Sequence, residues 1–583
     1  MTLQTNERSA SLLTKKKYIK RTPNKSVSLD RIGQIAKDCN TYPILVSALL
    51  NRGFSEEEVK EIICFDEPAK ELIETPLRGT DKAAEHIIKH LNKGDSIGIF
   101  ADYDCDGITS GYVMYSALKD IARAIKSSST IYVHYPQRKS GYGLNLDYCK
   151  KAVSNALGLI ITVDNGISVK KEQQFLKENG VELIVTDHHE PIKSNIPDCI
   201  IVDPCYSDIE RSYLAGVAVA YNLASVIANR CWCTLDKNKY IPPVAIGTIS
   251  DCMPMSFENA SYIKQGLQII NSGNSCKFLQ SYTNGILSPV DVSFTIAPRI
   301  NAASRIGDVR TGAAGFFTDD DKKLKIIMKK LEDMNNERKA ATSKARKVVA
   351  KIEEPKHRIV SFNGIGYGKG LHGIIAGEIA KRFEDYPSFV YSIYPDSDDE
   401  NKKLYGGSVR CANESVDCME LFLLLKKEGL VKRAAGHANA CVLEVEEDKF
   451  DKFQEAFDKL YDDQEFPVSI TGIDAQISLK AAFSADFFEK SLKIPFTTQE
   501  EPIYGISNVC INRYKYSMSN KDNIMFTFAD STAVKNVWGW GWSKKYKELG
   551  YPKEVHLVCS IVQDFRFNDV SPTLKILDMI PVK

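Results

Sequence analysis

The sequence lacks any apolar run that approaches the roughly 20 residues of a membrane-spanning helix. It also lacks an apolar segment after the basic residues near its N-terminus, so we do not expect a secretory signal. Together these two absences predict a cytoplasmic protein that does not associate with a membrane.

Regular cysteine spacing is absent as well. The 15 cysteines are scattered along the chain. Cys231 and Cys233 lie close together, but no second pair follows at the spacing of a zinc site. Because we expect no export, we predict that the cysteines are reduced and mostly buried.

Charge of one sign is not in excess, since the formal net charge is only +1. Bulk charge therefore does not indicate a nucleic-acid-binding protein, although a neutral total can still contain basic patches. The densest basic segment is Lys15–Arg21, KKKYIKR. We interpret it as a solvated, disordered tail rather than as an arm that binds nucleic acid.

The length of 583 residues exceeds what one compact core supports, so we expect three or more domains. Changes of pattern along the chain predict five segments. These are an N-terminal tail and helical segment (1–82), an α/β unit (83–318), a connecting helix (319–352), a second α/β unit (353–450) and an all-β module (466–583).

Short apolar strands alternate with helical segments in the first α/β unit. The strands read SIGIF, TIYVHY, LGLIITVD, VELIVTD and CIIVDP. This alternation predicts a doubly wound, largely parallel sheet. Acidic and histidine residues follow three of the strands, at Asp102–Asp106, Asp164 and Asp187–His189. Because ligands bind at the carboxyl edge of such sheets, we expect these side chains to meet there.

The remaining segments are predicted from periodicity. The charged stretch 319–352 has apolar residues at helical spacing, which indicates one long helix. Strands HRIVSFNG and PSFVYSIY flank a helix in the second α/β unit. After Phe466, short alternating strands favour a small barrel of the OB type. Its aromatic residues could stack on nucleic-acid bases, although for any single ring we favour the barrel core; these residues are Tyr514, Tyr516, Phe526, Phe528 and Trp538–Trp542.

The motif ADYDCDG places Asp102, Asp104 and Asp106 on alternate residues. Three ionised carboxylates this close repel one another, and divalent cations with oxygen ligands relieve that repulsion. An exposed acidic turn is the alternative. Asp164 alone is better explained as a helix cap or a turn residue. With His188 and Asp251, however, the set becomes a mixed Asp/His group that suits Mn²⁺ or Mg²⁺ and, with adjustment, Zn²⁺ or Co²⁺. Two such ions sharing a carboxylate are the standard apparatus of phosphoester hydrolysis.

Eight ordered motifs resemble those of one family. ADYDCDG, VDNGIS, VTDHHE, GTISDCMP and APRINAASRIGD look like the motifs of the DHH phosphoesterase superfamily. GLHGIIAGEIAKRF, GGSVR and AAGHANA look like the remaining motifs of its RecJ branch. The resemblance covers about residues 98–440, and the C-terminal OB-like module is also similar to that branch.

RecJ proteins are exonucleases that degrade single-stranded DNA in the 5′→3′ direction. The resemblance therefore implies a metal-dependent exonuclease of recombination and repair. It implies single-stranded DNA as the substrate, a single-strand-binding protein or a helicase as partner, and a monomer. Two alternatives stay open: a phosphodiesterase for oligonucleotides or cyclic dinucleotides, and an inactive replication scaffold on the same fold.

The resemblance also implies residue roles. Asp104 binds one Mn²⁺ or Mg²⁺ ion and Asp106 the other, Asp164 bridges both, and His188 and Asp251 complete the second site. Catalytic or supporting roles around the two ions fall to Asp102, Asp187 and His189, although His189 could be merely structural. The implied phosphate- or DNA-binding residues are Arg138, Arg299, Asn301, Arg305, His372, Ser408, Arg410, Gly436 and His437.

The sequence departs from the family pattern in several places. Phe100 stands where many members carry a metal-binding histidine, so we expect the first ion to be bound more weakly. AAGH stands where GGH is usual, which adds a side chain beside the phosphate-binding loop. Cys105 replaces a small alanine, and we expect this change to affect packing only.

Overall fold

The computed structural model describes residues 16–22, 27–64, 75–138, 141–283, 286–353, 355–396, 399, 401–464, 466, 469–496, 500–519, 521–564 and 571–582. The described residues begin with one strand and a group of three short helices. Their bounds are β1 Lys16–Lys20, α1 Leu29–Asp38, α2 Pro43–Asn51 and α3 Glu56–Ile63.

The first α/β unit contains five strands. Its elements are α4 Thr80–Lys93, β2 Ile97–Ala101, α5 Cys105–Ala124, β3 Ile131–His134, α6 Leu146–Ser154, β4 Leu159–Val163, α7 Lys170–Glu178, β5 Glu182–Thr186, β6 Ile200–Val202, α8 Pro204–Ser207, α9 Gly216–Arg230, α10 Lys237–Ser250, α11 Phe257–Asn271, α12 Lys277–Gln280, α13 Pro289–Asp291, α14 Ala297–Ile306 and α15 Val309–Ala314.

The sheet of this unit is wholly parallel, in the order β3-β2-β4-β5-β6. Every residue of β2 and β4 is buried, because helices cover both faces. The strand order reverses at β2, so a crevice opens beyond the carboxyl ends of β2 and β4. The predicted doubly wound sheet is confirmed.

The long connecting helix is also confirmed. It forms α16 Asp321–Val349, and the side chain of Asp320 caps its first turn by accepting hydrogen bonds from the backbone N–H groups of Lys322 and Lys323. It packs along α14 of the first unit and α17 (His372–Arg382) of the second. This helix therefore joins the two α/β units through direct packing on both.

The second α/β unit has one mixed sheet, in the order β10-β11-β9-β8-β7. Its elements are β7 Val360–Asn363, α17, β8 Ser388–Pro395, β9 Lys403–Arg410, α18 Cys418–Lys427, β10 Arg433–His437, β11 Ala440–Glu446 and α19 Phe450–Asp462. The helix α19 packs its aromatic residues into the core of this sheet. It therefore extends the unit beyond the predicted limit at residue 450.

The C-terminal module is built around an antiparallel sheet in the order β16-β15-β14-β17-β18, with β13 beside β14. Its elements are β12 Ser469–Ile473, β13 Ala475–Gln476, α20 Leu479–Ala482, α21 Ala485–Leu492, β14 Tyr504–Tyr516, β15 Ile524–Ala529, β16 Val534–Gly539, α22 Trp542–Glu548, β17 Glu554–Gln563 and β18 Pro572–Pro581. The module is OB-like, although the strand pairing within its described residues leaves the sheet open between β16 and β18.

The N-terminal segment differs from the prediction of a disordered tail. Lys15 lies outside the described residues, but Lys16–Lys20 forms β1 and pairs in parallel with β12, near the other end of the chain. The buried carboxylate of Asp474 accepts two hydrogen bonds from Arg52 and lies 3.4 Å from Nε of Arg21. The helices α1–α3 share one hydrophobic core with the C-terminal module. Residues 16–64, as far as they are described, therefore fold together with the C-terminal module.

The cysteine prediction is wrong at one pair. Cys39 and Cys64, which follow the ends of α1 and α3, form a disulfide. The other 13 cysteines are not in disulfides, and five of them are buried. No helix within the described ranges is both long and apolar enough to cross a membrane.

Candidate metal centre and phosphate-binding cleft

The acidic loop after β2 is held by backbone amides. Asp104 caps α5 and accepts a hydrogen bond from the Gly107 N–H at 3.0 Å. Asp106 is buried, and its two oxygens accept hydrogen bonds from the N–H groups of Gly216 (2.8 Å) and Val217 (3.0 Å), which begin α9. A helix N-terminus favours a carboxylate, so α9 fixes the position of this side chain.

Asp102 is buried on the other side of the loop. Its Oδ1 has no hydrogen-bond partner among the residues that the structure describes. A buried carboxylate oxygen without a partner is costly, which makes this atom suited to a cation.

His188 lies at the centre of the remaining acids. Its Nε2 is 3.1 Å from Oδ1 of Asp164, 3.7 Å from Oδ2 of Asp251 and 3.8 Å from Oδ2 of Asp106. Asp164 itself follows β4 with a φ of 61°, in the left-handed region that non-glycine residues seldom adopt. This backbone turn places the carboxylate of Asp164 between the other acids.

Three overlapping groups of side chains have ligand atoms within 4.8 Å of one another. Asp164 and His188 each belong to two of the groups. The groups are Asp102–Asp104–Asp164, Asp106–His188–Asp251 and Asp164–His188–His189. The structure thus brings together all five residues predicted as metal ligands. It also brings Asp102, for which the sequence analysis predicted a catalytic or supporting role, into one of these groups.

The electrostatics of these groups favour binding of a cation. Burial and the neighbouring carboxylates raise the pKa of Asp106 to about 7 and that of Asp251 to about 7. The same two causes raise the pKa of Asp164 well above its usual value. Oxygen-rich groups that resist ionisation in this way are stabilised when a divalent cation binds them.

Two glycines leave the room that the carboxylates occupy. A Cβ at Gly216 would lie 2.5 Å from Oδ1 of Asp164, and one at Gly247 would lie 2.7 Å from Oδ1 of Asp106. Side chains at these positions would therefore displace the acids. The sequence analysis did not identify either glycine, because each lies within an apolar helical stretch that carries no turn signal.

His189 connects the two α/β units. Its Nδ1 lies 2.7 Å from Oδ1 of Asp187, and its ring stacks on that of His437 at 5.3 Å. Burial alone would lower the pKa of His189, but Asp187 raises it to about 10. Burial and the two neighbouring histidines lower the pKa of His437 to about 4. Next to it, Gly436 has a φ of 127°, and a Cβ there would clash with the Ala440 carbonyl oxygen, so this glycine serves the β10–β11 hairpin.

Arginines converge beside the acidic groups. Burial and the charges of Arg138 and Arg410 lower the pKa of Arg305 to about 9. Arg410 and Ser408 lie beside the first turn of α17, since a Cβ at Gly373 would be 3.0 Å from Arg410 Nη2 and 3.7 Å from Ser408 Oγ. The described part of the chain offers none of these three arginines an ion pair. Unpaired guanidinium groups at a helix N-terminus suit a phosphate.

Three other predicted phosphate ligands have a different environment. Arg299 donates to Glu332 at 2.5 Å, which already compensates its charge. His372 is buried, with its Nε2 3.3 Å from Oγ of Ser392. Asn301 Oδ1 accepts the backbone N–H of Cys105 and thereby holds the acidic loop.

Comparison with known proteins places this site in a family. Residues 96–248 match the model of the DHH family, N-terminal domain. The single-stranded-DNA-specific exonuclease RecJ of Bacillus subtilis is 26% identical over 529 residues, which cover 86% of this chain and 64% of that protein. The RecJ of Salmonella typhimurium is 28% identical over 468 residues, which cover 75% of this chain and 78% of that protein. The chain is therefore similar to the RecJ exonucleases, and its residues 96–248 match the N-terminal domain of the DHH family.

Solved structures support the same fold for this RecJ-type chain. The crystal structure of RecJ from Thermus thermophilus in complex with Mn²⁺ superposes with a TM-score of 0.75 at 23% identity, and the match covers 97% of this chain and 80% of that one. A crystal structure of exonuclease RecJ bound to manganese gives a TM-score of 0.56 at 28% identity, covering 68% and 98%. This RecJ-type chain spans 64% of the length of its Bacillus subtilis relative.

Proposed function

We propose that this chain is a divalent-metal-dependent exonuclease that degrades single-stranded DNA from a 5′ end. The observation that carries the proposal is the juxtaposition of overlapping Asp/His groups with arginines that have no acidic partner among the described residues. The first arrangement suits metal ions and the second suits a phosphate. The relatives named as single-stranded-DNA-specific exonucleases support the choice of substrate.

The donor set fits two Mn²⁺ or Mg²⁺ ions. Asp102, Asp104 and Asp164 would hold one ion, and Asp106, His188 and Asp251 would hold the other, with Asp164 between them. When bound, such ions activate water and stabilise negative charge that develops on the phosphate oxygens. Phe100 replaces a possible nitrogen ligand, so the first set consists of oxygen donors alone.

The protein groups around this set orient the reaction. The amides of Gly216 and Val217 fix Asp106, and Asp187 orients the ring of His189 through Nδ1. With its pKa raised by Asp187, His189 would hold a proton in the cleft that could be donated to the oxygen that leaves. Its stacking on His437 holds this ring against the second α/β unit.

Arg410 and Ser408 are suited to bind the terminal phosphate, because they lie beside the first turn of α17 and across the cleft from the acids. A group that binds the terminal phosphate of a DNA strand fixes the distance between that phosphate and the bond that is cut. We further propose that the C-terminal module holds the longer strand, with a single-strand-binding protein or a helicase supplying it, and that the enzyme acts as a cytoplasmic monomer.

The test compares four substrates with Mn²⁺: a 5′-phosphorylated single strand, its duplex, a circular single strand and a cyclic dinucleotide. We expect cleavage of the linear single strand alone, with mononucleotides released from the 5′ end, and no product in excess EDTA. Preferred turnover of the cyclic dinucleotide would instead support a small-diester phosphodiesterase. Efficient cutting of the circle would refute the exonuclease assignment.

A further inference from the structure

A cavity of about 220 Å³ lies beside the candidate metal centre, between the two α/β units. Ser250 and Cys252, which flank Asp251, line one side of it. Arg305 lines another side and so connects the cavity to the group of arginines around Arg410. The cavity therefore adjoins both the acids and the predicted terminal-phosphate site.

The connecting helix contributes Arg338 to the wall of this cavity. Its Nε and Nη2 both donate to Oδ1 of Asn335, at 3.1 and 3.0 Å, and Asn335 is fully buried. The amide fixes the guanidinium but leaves its charge uncompensated, and no ion pair to Arg338 occurs among the described residues. An arginine that is oriented in advance by a neutral partner is suited to bind an anion.

The other arginines of the same region show the contrast. Arg346, two turns further along α16, donates to both oxygens of Glu378 at 2.7 and 3.0 Å. Arg299 is paired with Glu332. These two side chains form ion pairs that stabilise the fold, whereas the charge of Arg338 is available to bind an anionic ligand.

A second polar group faces the cavity without a partner. Ser293 Oγ lines it, is itself buried and makes no hydrogen bond to any described residue. Ser293 lies in a π-helical turn, Val292–Ile296, which occurs just before α14. Such turns are frequently found at functional sites. A hydroxyl donor and two guanidinium groups around one small cavity match the oxygens of a phosphate.

We infer that this cavity is a second phosphate subsite, formed by Arg338, Arg305 and Ser293, which binds a backbone phosphate of the strand other than the terminal one. The inference rests on the proposed function for the identity of its ligand. It assigns a binding role to the connecting helix, which otherwise serves only to join two units.

The test measures binding of a 5′-phosphorylated single-stranded oligonucleotide to the full chain in EDTA, over a range of salt concentrations. Arg338→Gln should weaken binding about tenfold or more, as expected for a lost charged hydrogen bond. It should also reduce the slope of log Kd against log salt by about 0.7, the value for one phosphate contact on a single strand. Lys339→Gln is the matched control, because it removes one exposed charge from the next residue of α16 and should leave the slope unchanged.

A second variant guards against a folding defect. Ala297→Leu fills the cavity without changing the charge and should weaken binding with the same loss of slope, while both variants keep the wild-type melting temperature. Equal slopes for Arg338→Gln and Lys339→Gln, or no binding by the wild type, would overturn the subsite. Cleavage by the wild type with Mn²⁺ tests the proposed function separately, so either idea can fail alone.

Discussion

Replacing Asp164 with asparagine should abolish activity and weaken metal binding without unfolding the protein. Asp164 lies in two of the three candidate ligand groups, 3.1 Å from Nε2 of His188, so its loss affects every part of the centre. Asparagine is preferable to alanine, because the φ of 61° costs a residue such as alanine about 1–2 kcal/mol, whereas asparagine tolerates it.

The expected change in stability follows from the fact that a metal ion that binds only the folded state stabilises it. With Mn²⁺ at about 100 times its dissociation constant, binding should stabilise the wild type by about 2.7 kcal/mol. If the variant binds about 100-fold more weakly, the same concentration stabilises it by only about 0.4 kcal/mol. Activity should fall at least about 10³-fold, equivalent to about 4 kcal/mol of barrier.

Thermal melting with and without Mn²⁺ measures the first effect, and a strand-degradation assay measures the second. In EDTA the variant should melt no lower than the wild type, because burial and the neighbouring carboxylates make ionisation of Asp164 unfavourable and asparagine has no group to ionise. Asp147→Asn, at an exposed position of α6, is the control and should behave as the wild type. A tenth of wild-type activity, or an undiminished Mn²⁺ shift, would reassign Asp164 to a structural turn.

Three further predictions concern other parts of the chain. Arg410→Ala should reduce kcat/KM about 10- to 150-fold more on a 5′-phosphorylated strand than on a 5′-hydroxyl strand, and an equal loss on both would exclude end recognition. Trp540→Ala should weaken binding of long strands by about 1–3 kcal/mol and leave binding of short strands unchanged, since this ring is 66% exposed and stacks on Trp538. Trp232→Ala, which removes an exposed ring from the first unit, is the control and should leave the affinity for both kinds of strand unchanged. Asp474→Ala should destabilise the chain by up to about 3 kcal/mol in urea, because the buried guanidinium of Arg52 loses its two hydrogen bonds to this carboxylate and keeps only Glu500 as an acidic partner, and an unchanged midpoint would contradict this.

The fold of the catalytic half could be predicted because local signals and topology agree there. Alternation of apolar strands and helices fixes the carboxyl edge of the sheet, and Asp102, Asp164 and Asp187 each follow a strand that reaches it. Asp203 follows β6 at the same edge, and its position after the strand in CIIVDP could have identified it as a further acidic residue of this edge. Distances between these acids, in contrast, depend on crossovers that no local pattern specifies.

Pairings across the chain could not be predicted. The charge density of Lys16–Lys20 indicates a solvated segment, and nothing local to it indicates Ser469–Ile473 as a pairing partner. His372, which was predicted to bind phosphate or DNA, begins α17, and tertiary packing buries its ring beside Ser392 of the second sheet. In each case the decisive contact is with a residue remote in sequence, and tertiary contacts override local preference.

The structure distinguishes arginines that are suited to bind a ligand from arginines that form stabilising ion pairs, and the sequence alone does not. Arg299, Arg305 and Arg338 all occur on polar helical segments, and each could be a surface residue. In the fold, Arg299 donates to a carboxylate, while Arg305 and Arg338 donate only to a carbonyl and an amide oxygen. A buried guanidinium with a neutral partner keeps its full charge in a poorly solvated place, and that arrangement is unfavourable unless an anion binds. The partner of each arginine, rather than its position in a motif, therefore indicates which of them face the substrate.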